Sequence, residues 1–203
     1  IRSAHLARHN IADCFLVNIL QASRKSLRPS NRFAPESAPT GQRSCAEMGR
    51  ATPVVPKIFL KPSTAIIGHK QPIELPPGTA RVDHEAELGV VISRVVSRVS
   101  VEEAATAIFG FTVINDVTAR DFQRQDGTFA RAKGFNTFCP IGPFVLKTEE
   151  LQERAVRCWV NGELRQDGST ADLLFDVPTL ISFVSSVMTL LPGDVIATGT
   201  PSG

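Results

Sequence analysis

From Pro53 onward the chain is built of short apolar runs cut by proline, glycine and acidic residues, and few of these runs have helical spacing or length. Pro53–Pro62 is an apolar run fenced by prolines, which predicts an edge strand. Thr64–Gly68 and Ile73–Gly78 read as further short strands closed by turns. Val82–Ile92 starts acidic and continues as a β-branched run, and Phe109–Ile114 is a second such run ending in Asn115-Asp116. Phe144–Leu146 and Val195–Pro201 complete the strand set.

Helical signals are fewer. Ser100-Val101-Glu102-Glu103 is a capping box that predicts a short helix over 101–108, and Asp176 with Pro178 opens a helix over 178–189. Val117–Gln123 is a polar turn with helical spacing. Cys158–Arg165 predicts a hairpin, because Asn161-Gly162 supplies the two positive-φ positions of a tight turn. Many short strands and two helices, with no regular β-α alternation, give an α+β, mostly β architecture rather than a doubly wound one.

The polar positions at the strand ends carry the chemistry. Side chains alternate along a strand, so Glu85 and Glu87 point to one face while His84 and Ala86 point to the other. Two like charges at the mouth of a buried strand repel unless a cation lies between them. Asp116 closes the next strand, and three carboxylates with no cysteine and few histidines nearby suit a hard divalent ion, Mg²⁺ or Mn²⁺, bound through oxygen. Arg120 and Gln123 follow Asp116 by four and seven residues, one face of a helix if that turn is helical. Lys133 lies in a glycine-containing loop, where an ammonium neutralises a substrate carboxylate or a developing oxyanion. Thr200 follows Gly199 at a strand end, a hydroxyl beside bare backbone amides.

Composition narrows the setting. With 203 residues, 42% hydrophobic and 21% charged, the chain has the make-up of a soluble domain with a core of its own. No apolar run approaches the roughly 20 residues needed to cross a bilayer. The formal net charge is +2, and residues 1–35 hold six Arg/Lys against the single acid Asp13, leaving no basic nucleic-acid surface on the remainder. Cys14, Cys45, Cys139 and Cys158 show no CxxC spacing and read as reduced thiols of an intracellular protein. Residues 1–46 are basic, rich in Ser and Pro, and read either as an organellar transit-like segment or as a disordered tail. A mitochondrial or cytoplasmic location follows.

The ordered motifs HEAELGVVI, INDVTARDFQ, AKGFNTFCPIGPF, VNGELRQDGS and LPGDVIATGTPSG resemble the fumarylacetoacetate hydrolase family, in particular its small single-domain branch of acylpyruvate hydrolases and oxaloacetate decarboxylases. The resemblance runs over residues 47–203, a catalytic domain of the family's C-terminal type that stops after the Gly-Thr-Pro motif. It implies a mixed β-roll, incomplete at both ends, around a Mg²⁺ site in a homodimer. It further implies that Glu85, Glu87 and Asp116 are the metal ligands, that Arg120, Gln123 and Thr200 bind substrate, and that Lys133 and Glu47 are catalytic. The expected substrate is a small 2-oxo acid or acylpyruvate, cleaved at a C–C bond by hydrolysis or decarboxylation.

Two departures bear on activity. Where the family carries an Asn-Tyr pair and a lid signature His-x-x-Glu-Met-Gly, this chain reads Ser44-Cys45-Ala46-Glu47-Met48-Gly49, and it contains no Tyr. Glu47 is kept, but Ser44 stands in place of the histidine, and serine is no base. A family member that binds metal with impaired catalysis is therefore the competing expectation, and an isomerase or decarboxylase of unsaturated diacids from aromatic catabolism is a third.

Overall fold

A computed structural model describes residues 54–147 and 153–202 together with the backbone of 16–20. Strands outnumber helices, in agreement with the α+β expectation. The main sheet has six strands in the order β2-β1-β12-β5-β6-β9. These are β1 (Leu16–Leu20), β2 (Lys57–Lys61), β5 (Ala86–Ile92), β6 (Ile108–Asn115), β9 (Leu146–Lys147) and β12 (Val195–Ala197). Three two-stranded pairs flank it: β3 (Ile66–Ile67) with β8 (Cys139–Pro140), β4 (Val82–Asp83) with β7 (Thr118–Ala119), and β10 (Ala155–Val160) with β11 (Glu163–Ser169). The helices are α1 (Val101–Ala105), α2 (Arg120–Asp126), α3 (Ala130–Lys133) and α4 (Val177–Val187).

Local signals translate directly into structure. The Ser100 hydroxyl accepts from the Glu103 amide and the Glu103 carboxylate accepts from the Ser100 amide, which completes the capping box. Asp176 caps α4 by accepting from the Thr179 amide at 2.8 Å, with a proline in the first turn. Asn161 and Gly162 both adopt positive φ, 52° and 83°, at the tip of the β10-β11 hairpin. The proline-fenced strand β2 does lie at a sheet edge.

Other expectations are corrected. Ile73–Gly78 forms no strand: Pro76 and Pro77 offer no amide, Leu75 is exposed, and the Glu74 amide bonds the Thr137 hydroxyl instead of a ladder. Thr64–Gly68 splits into a 3₁₀ turn over Ser63–Ala65 and the two-residue β3. Strand β9 begins at Leu146 rather than at Phe144, whose side chain is exposed. Four helices are found among the described residues where two were expected, because the turn after Asp116 forms α2 and the loop before Gly134 closes into the one-turn α3. The sequence pattern predicts no strand at Leu16–Leu20, yet this apolar run is β1, paired in parallel with β12 and antiparallel with β2. The rest of residues 1–46, and with it the transit-like or disordered reading, lies outside the described residues.

The larger of the buried clusters lies on one face of the sheet, and Ile114 and Ala197 pack with Ala65 and Cys139 on the other. Leu88, Val90, Ile92 and Phe111 pack against Leu180, Ile181 and Val184 of α4, with Ala104 of α1 and Leu190 closing the cluster. β5 and β6 are antiparallel with Ala86 opposite Asn115, so the start of one lies against the end of the other. They approach so closely at Gly89 that a Cβ there would lie 2.7 Å from Ile114 Cδ1. That register, held by a packed core at the far end, fixes the geometry of the acidic strand ends.

Candidate metal centre

Glu85, Glu87 and Asp116 meet where β5 begins and β6 stops. The Asp116 amide donates to the Glu85 carbonyl at 2.8 Å, and the Glu85 amide donates to Asn115 Oδ1 at 3.0 Å, which locks the two strand ends together. One ligand oxygen from each carboxylate lies within 4.8 Å of the others, and all three residues are buried. Glu85 precedes β5 rather than lying inside a continuous strand, so the expected alternation from His84 onward is interrupted, yet both glutamates still converge. His84 is half-buried, with its Nε2 lacking a hydrogen-bond partner.

Three cations answer Glu85 and Asp116. Lys133 Nζ donates to Glu85 Oε2 at 2.7 Å and to Asp116 Oδ2. Lys61 Nζ donates to Asp116 Oδ1 at 2.7 Å and to the Val117 carbonyl at 3.3 Å. Arg120 spreads its guanidinium over Asp83 Oδ2 at 2.8 Å, Glu85 Oε1 at 2.5 Å and Gln123 Oε1 at 2.9 Å. Glu87 is different: its Oε2 accepts from the Gly199 amide at 2.7 Å.

The titration behaviour follows. Burial, and then the charges of Asp116 and Glu85, push the Glu87 carboxyl well above the usual carboxylate range. Burial acts in the same direction on Asp116, but Lys133 and Lys61 outweigh it and hold that carboxyl below its ordinary value. Burial opposes the charge on Lys133, yet Asp116, Glu85 and Glu87 together raise its ammonium above the ordinary lysine range. The acids around Lys133 thus favour its ammonium form.

The donor set fits a divalent ion. All three groups offer hard oxygens, none is cysteine or histidine, and Glu87 is buried beside two further carboxylates, a crowding of like charge that a cation relieves. The ion would be held by Glu85, Glu87 and Asp116.

The remaining expected residues fall around this centre. Arg120 opens α2 and Gln123 lies one turn on, but Asp116 precedes the helix and shares no face with them. Lys133 ends α3 instead of lying in a loop, with Nζ 5.0 Å from the centre of the Phe59 ring. The Thr200 hydroxyl donates to the Ala86 carbonyl at 3.0 Å and accepts from Gln166 Nε2 at 2.7 Å, one residue from each glutamate. Glu47 and Ser44 lie outside the described residues.

Sequence reasoning missed Lys61, Asp83 and Gln166. Gln166 reaches from the β11 hairpin to accept from the Ala86 amide at 2.9 Å and to donate to the Pro201 carbonyl at 2.9 Å, tying the hairpin to the site. Asp83 had a signal, since it lies two residues before Glu85 and extends the same acidic alternation. Lys61 and Gln166 had none that separates them from surface residues of an edge strand and a hairpin.

Residues 36–203 match the family described as fumarylacetoacetate (FAA) hydrolase C-terminal. The chain belongs to the fumarylacetoacetate hydrolase family. It is 50% identical over 157 residues to a protein of Archaeoglobus fulgidus, which covers 77% of this chain and 63% of that protein. It is 40% identical over 163 residues to "Oxaloacetate tautomerase FAHD1, mitochondrial" of Bos taurus, covering 77% of this chain and 74% of that one. Among solved structures, the 5-carboxymethyl-2-hydroxymuconate delta-isomerase of Mycobacterium smegmatis superposes with a TM-score of 0.78 at 42% identity, over 95% of this chain and 70% of that one. The chain thus spans less than two thirds of the length of some of its family relatives. Among the described residues no helix is long and apolar enough to cross a membrane.

Proposed function

We propose that the chain is a divalent-metal-dependent enzyme acting on small 2-oxo acids through an enolate, with Mg²⁺ or Mn²⁺ as the ion and oxaloacetate as the representative substrate. The convergence of Glu85, Glu87 and Asp116 within 4.8 Å of one another carries this reading. The similarity to an oxaloacetate tautomerase and to a 5-carboxymethyl-2-hydroxymuconate delta-isomerase supports the substrate class.

Charge supports a diacid. Glu85, Glu87 and Asp116 are balanced in number by Lys61, Lys133 and Arg120, while Asp83 also pairs with Arg81. A divalent ion leaves two positive charges, which a dicarboxylate neutralises. When bound, that ion supplies Lewis-acid polarisation of the 2-oxo group and stabilises negative charge on its oxygen. Lys133, held cationic at the edge of the acids, stabilises charge on the same oxygen or on the adjacent carboxylate. Arg120 and Gln123 hold the substrate from the α2 side. The Thr200 hydroxyl proton is committed to the Ala86 carbonyl, so in this arrangement carboxylate binding at that loop falls to backbone amides.

Tautomerisation, decarboxylation and C–C hydrolysis all pass through an enolate and differ in which group moves a proton or activates water. With Ser44 in place of the lid histidine, Glu47 is the remaining base, which favours proton transfer and loss of CO₂ over hydrolysis. The same replacement favours, as a second reading, a member that binds ion and oxalate-like ligands without turnover. Exposed Val113, Phe144, Leu146 and Trp159 line one cleft of ≈ 510 Å³, apolar surface that supports a homodimer. The mitochondrial name of the bovine relative supports a mitochondrial location, with the cytoplasm as the alternative.

The test follows oxaloacetate and acetylpyruvate by ultraviolet absorbance with and without Mg²⁺, beside heat stabilisation by Mg²⁺ plus oxalate. Mg²⁺-dependent loss of signal that Glu87→Gln removes is the expected result. Stabilisation without turnover selects the non-catalytic reading, and Ser44→His should then raise turnover. Absence of any Mg²⁺ effect on heat stability overturns the metal centre.

A further inference from the structure

Lys61 ends β2 directly before Pro62, and its residue is only 1% exposed. Lysine is almost never buried to this degree unless paired. Its pairing is specific: Nζ grips Asp116 Oδ1 at 2.7 Å and the carbonyl of the next residue, Val117, at 3.3 Å. Side chain and backbone of one turn are thus clipped by a single ammonium. The other carboxylate oxygen, Oδ2, shares Lys133 Nζ with Glu85 Oε2 and is therefore the one turned toward the remaining acids.

The same division recurs at each carboxylate. Glu85 Oε1 is engaged by Arg120 Nη2 at 2.5 Å, and Glu87 Oε2 by the Gly199 amide at 2.7 Å. Each acid has one oxygen tied to a donor anchored in a different element, β2, α2 or the loop after β12, and the second oxygens of Glu85 and Asp116 are held together by the single ammonium of Lys133. With the outer oxygens held by Lys61, Arg120 and the Gly199 amide, an ion competing with the Lys133 ammonium would meet one oxygen per carboxylate, which suits a small octahedral ion. Ca²⁺ prefers about six to eight oxygens at roughly 2.3–2.6 Å and gains from bidentate carboxylates, whereas Mg²⁺ requires six at about 2.0–2.1 Å.

Resting on the metal-centre reading above, we infer that Lys61 is a positioning residue that confines Asp116 to one ligating oxygen and thereby sets the preference of the site for Mg²⁺ over Ca²⁺. Its charge repels either ion alike, so the ratio of the two affinities, not either affinity alone, reports the positioning role. In Lys61→Met the freed Oδ1 can chelate with Oδ2, and the larger ion gains.

Titration calorimetry with MgCl₂ and CaCl₂ on the wild-type chain and on Lys61→Met tests this. The Ca²⁺-to-Mg²⁺ affinity ratio should rise about tenfold in Lys61→Met, and Lys61→Arg, which keeps a cationic donor, should restore the wild-type ratio. An unchanged ratio in Lys61→Met overturns the inference and leaves the metal centre standing; a wild-type chain that binds neither ion overturns both. Should Lys61→Met fail to fold, the wild-type protein still decides. With ¹⁵N-labelled lysine, the Lys61 ammonium resonance should stay slowly exchanging in the Mg²⁺-saturated protein, and its loss on Mg²⁺ binding shows that the clip opens and overturns the inference.

Discussion

Lys133→Met removes the ammonium that bridges two of the three acids. Glu85 keeps Arg120 and Asp116 keeps Lys61, so neither acid is left wholly bare. Both carboxylates nevertheless lose a charge-assisted bond at residues no more than 4% exposed. Charge-assisted bonds are worth about 1.5–3 kcal/mol each, but the two share one nitrogen and do not add. Breaking a buried pair from one side costs about 3–5 kcal/mol, which is the expected loss in Mg²⁺-free buffer. For a chain of this size that corresponds to a Tm lower by on the order of 10 °C. A divalent ion stabilises whatever state binds it, by about 2.7 kcal/mol at a hundredfold excess over Kd. Without the competing ammonium, Lys133→Met should gain more from Mg²⁺ than the wild type, and the gap should narrow. The sign with pH is fixed by the two shifts. Lys133 is raised in the fold, so its contribution is complete below its unfolded value near 10.5 and is lost as pH rises through the folded one. Asp116 is lowered, so its share is present above 3.8 and is lost as pH falls through the folded value. Urea melts between those limits, with and without Mg²⁺, should give a flat gap that closes on acidification. A variant as stable as the wild type, or one destabilised equally with and without Mg²⁺, refutes the reasoning.

Gln166→Ala removes the acceptor of the Ala86 amide and the donor to Thr200 and Pro201, which strands buried partners. A loss of about 1–3 kcal/mol in urea melts is expected, with a rise in KM for oxaloacetate because Thr200 loses its anchor. The Asp121 carboxylate, which accepts from the Ala80 and Arg81 amides and the Thr79 hydroxyl, is lowered to about 2. The order it gives the 79–81 loop should hold above 3.8 and fade as pH falls toward 2, read by carbon NMR of the carboxyl and by amide exchange; Asp121→Asn should weaken that protection at neutral pH. Burial pushes the Cys139 thiol up to about 12, so it should resist thiol reagents at pH 8 until the chain unfolds, while half-buried Cys158 reacts before it.

What was legible in the sequence follows the range of the interaction. The capping box at Ser100 and the Asn161-Gly162 turn are decided within four residues, and both form as read. The acidic trio was legible for a different reason. Uncompensated like charges at the mouths of apolar strands are costly whatever the tertiary fold, so their presence is itself a signal. Ile73–Gly78 failed because a strand needs a partner as well as an apolar pattern, and β1 was missed because its partners lie in β2 and β12.

The cations show the limit most clearly. Lys61 lies 55 residues from Asp116, and Gln166 lies 80 from Ala86. Neither is separable by local pattern from a lysine that lifts its ammonium to water beside an edge strand or from a hairpin glutamine. A lysine on an apolar strand is inexpensive when exposed and costly when buried alone. What makes its burial tolerable is an acid that the chain reaches only after closing the sheet. The sequence therefore displays the acids as a charge without an answer, and folding supplies the answer from strands and helices that do not touch them along the chain. That is also why the metal reading and the lysine reading need separate tests. The acids converge because β5 and β6 are in register, whereas which oxygen each one offers is decided by donors brought in from β2, α2 and the loop after β12.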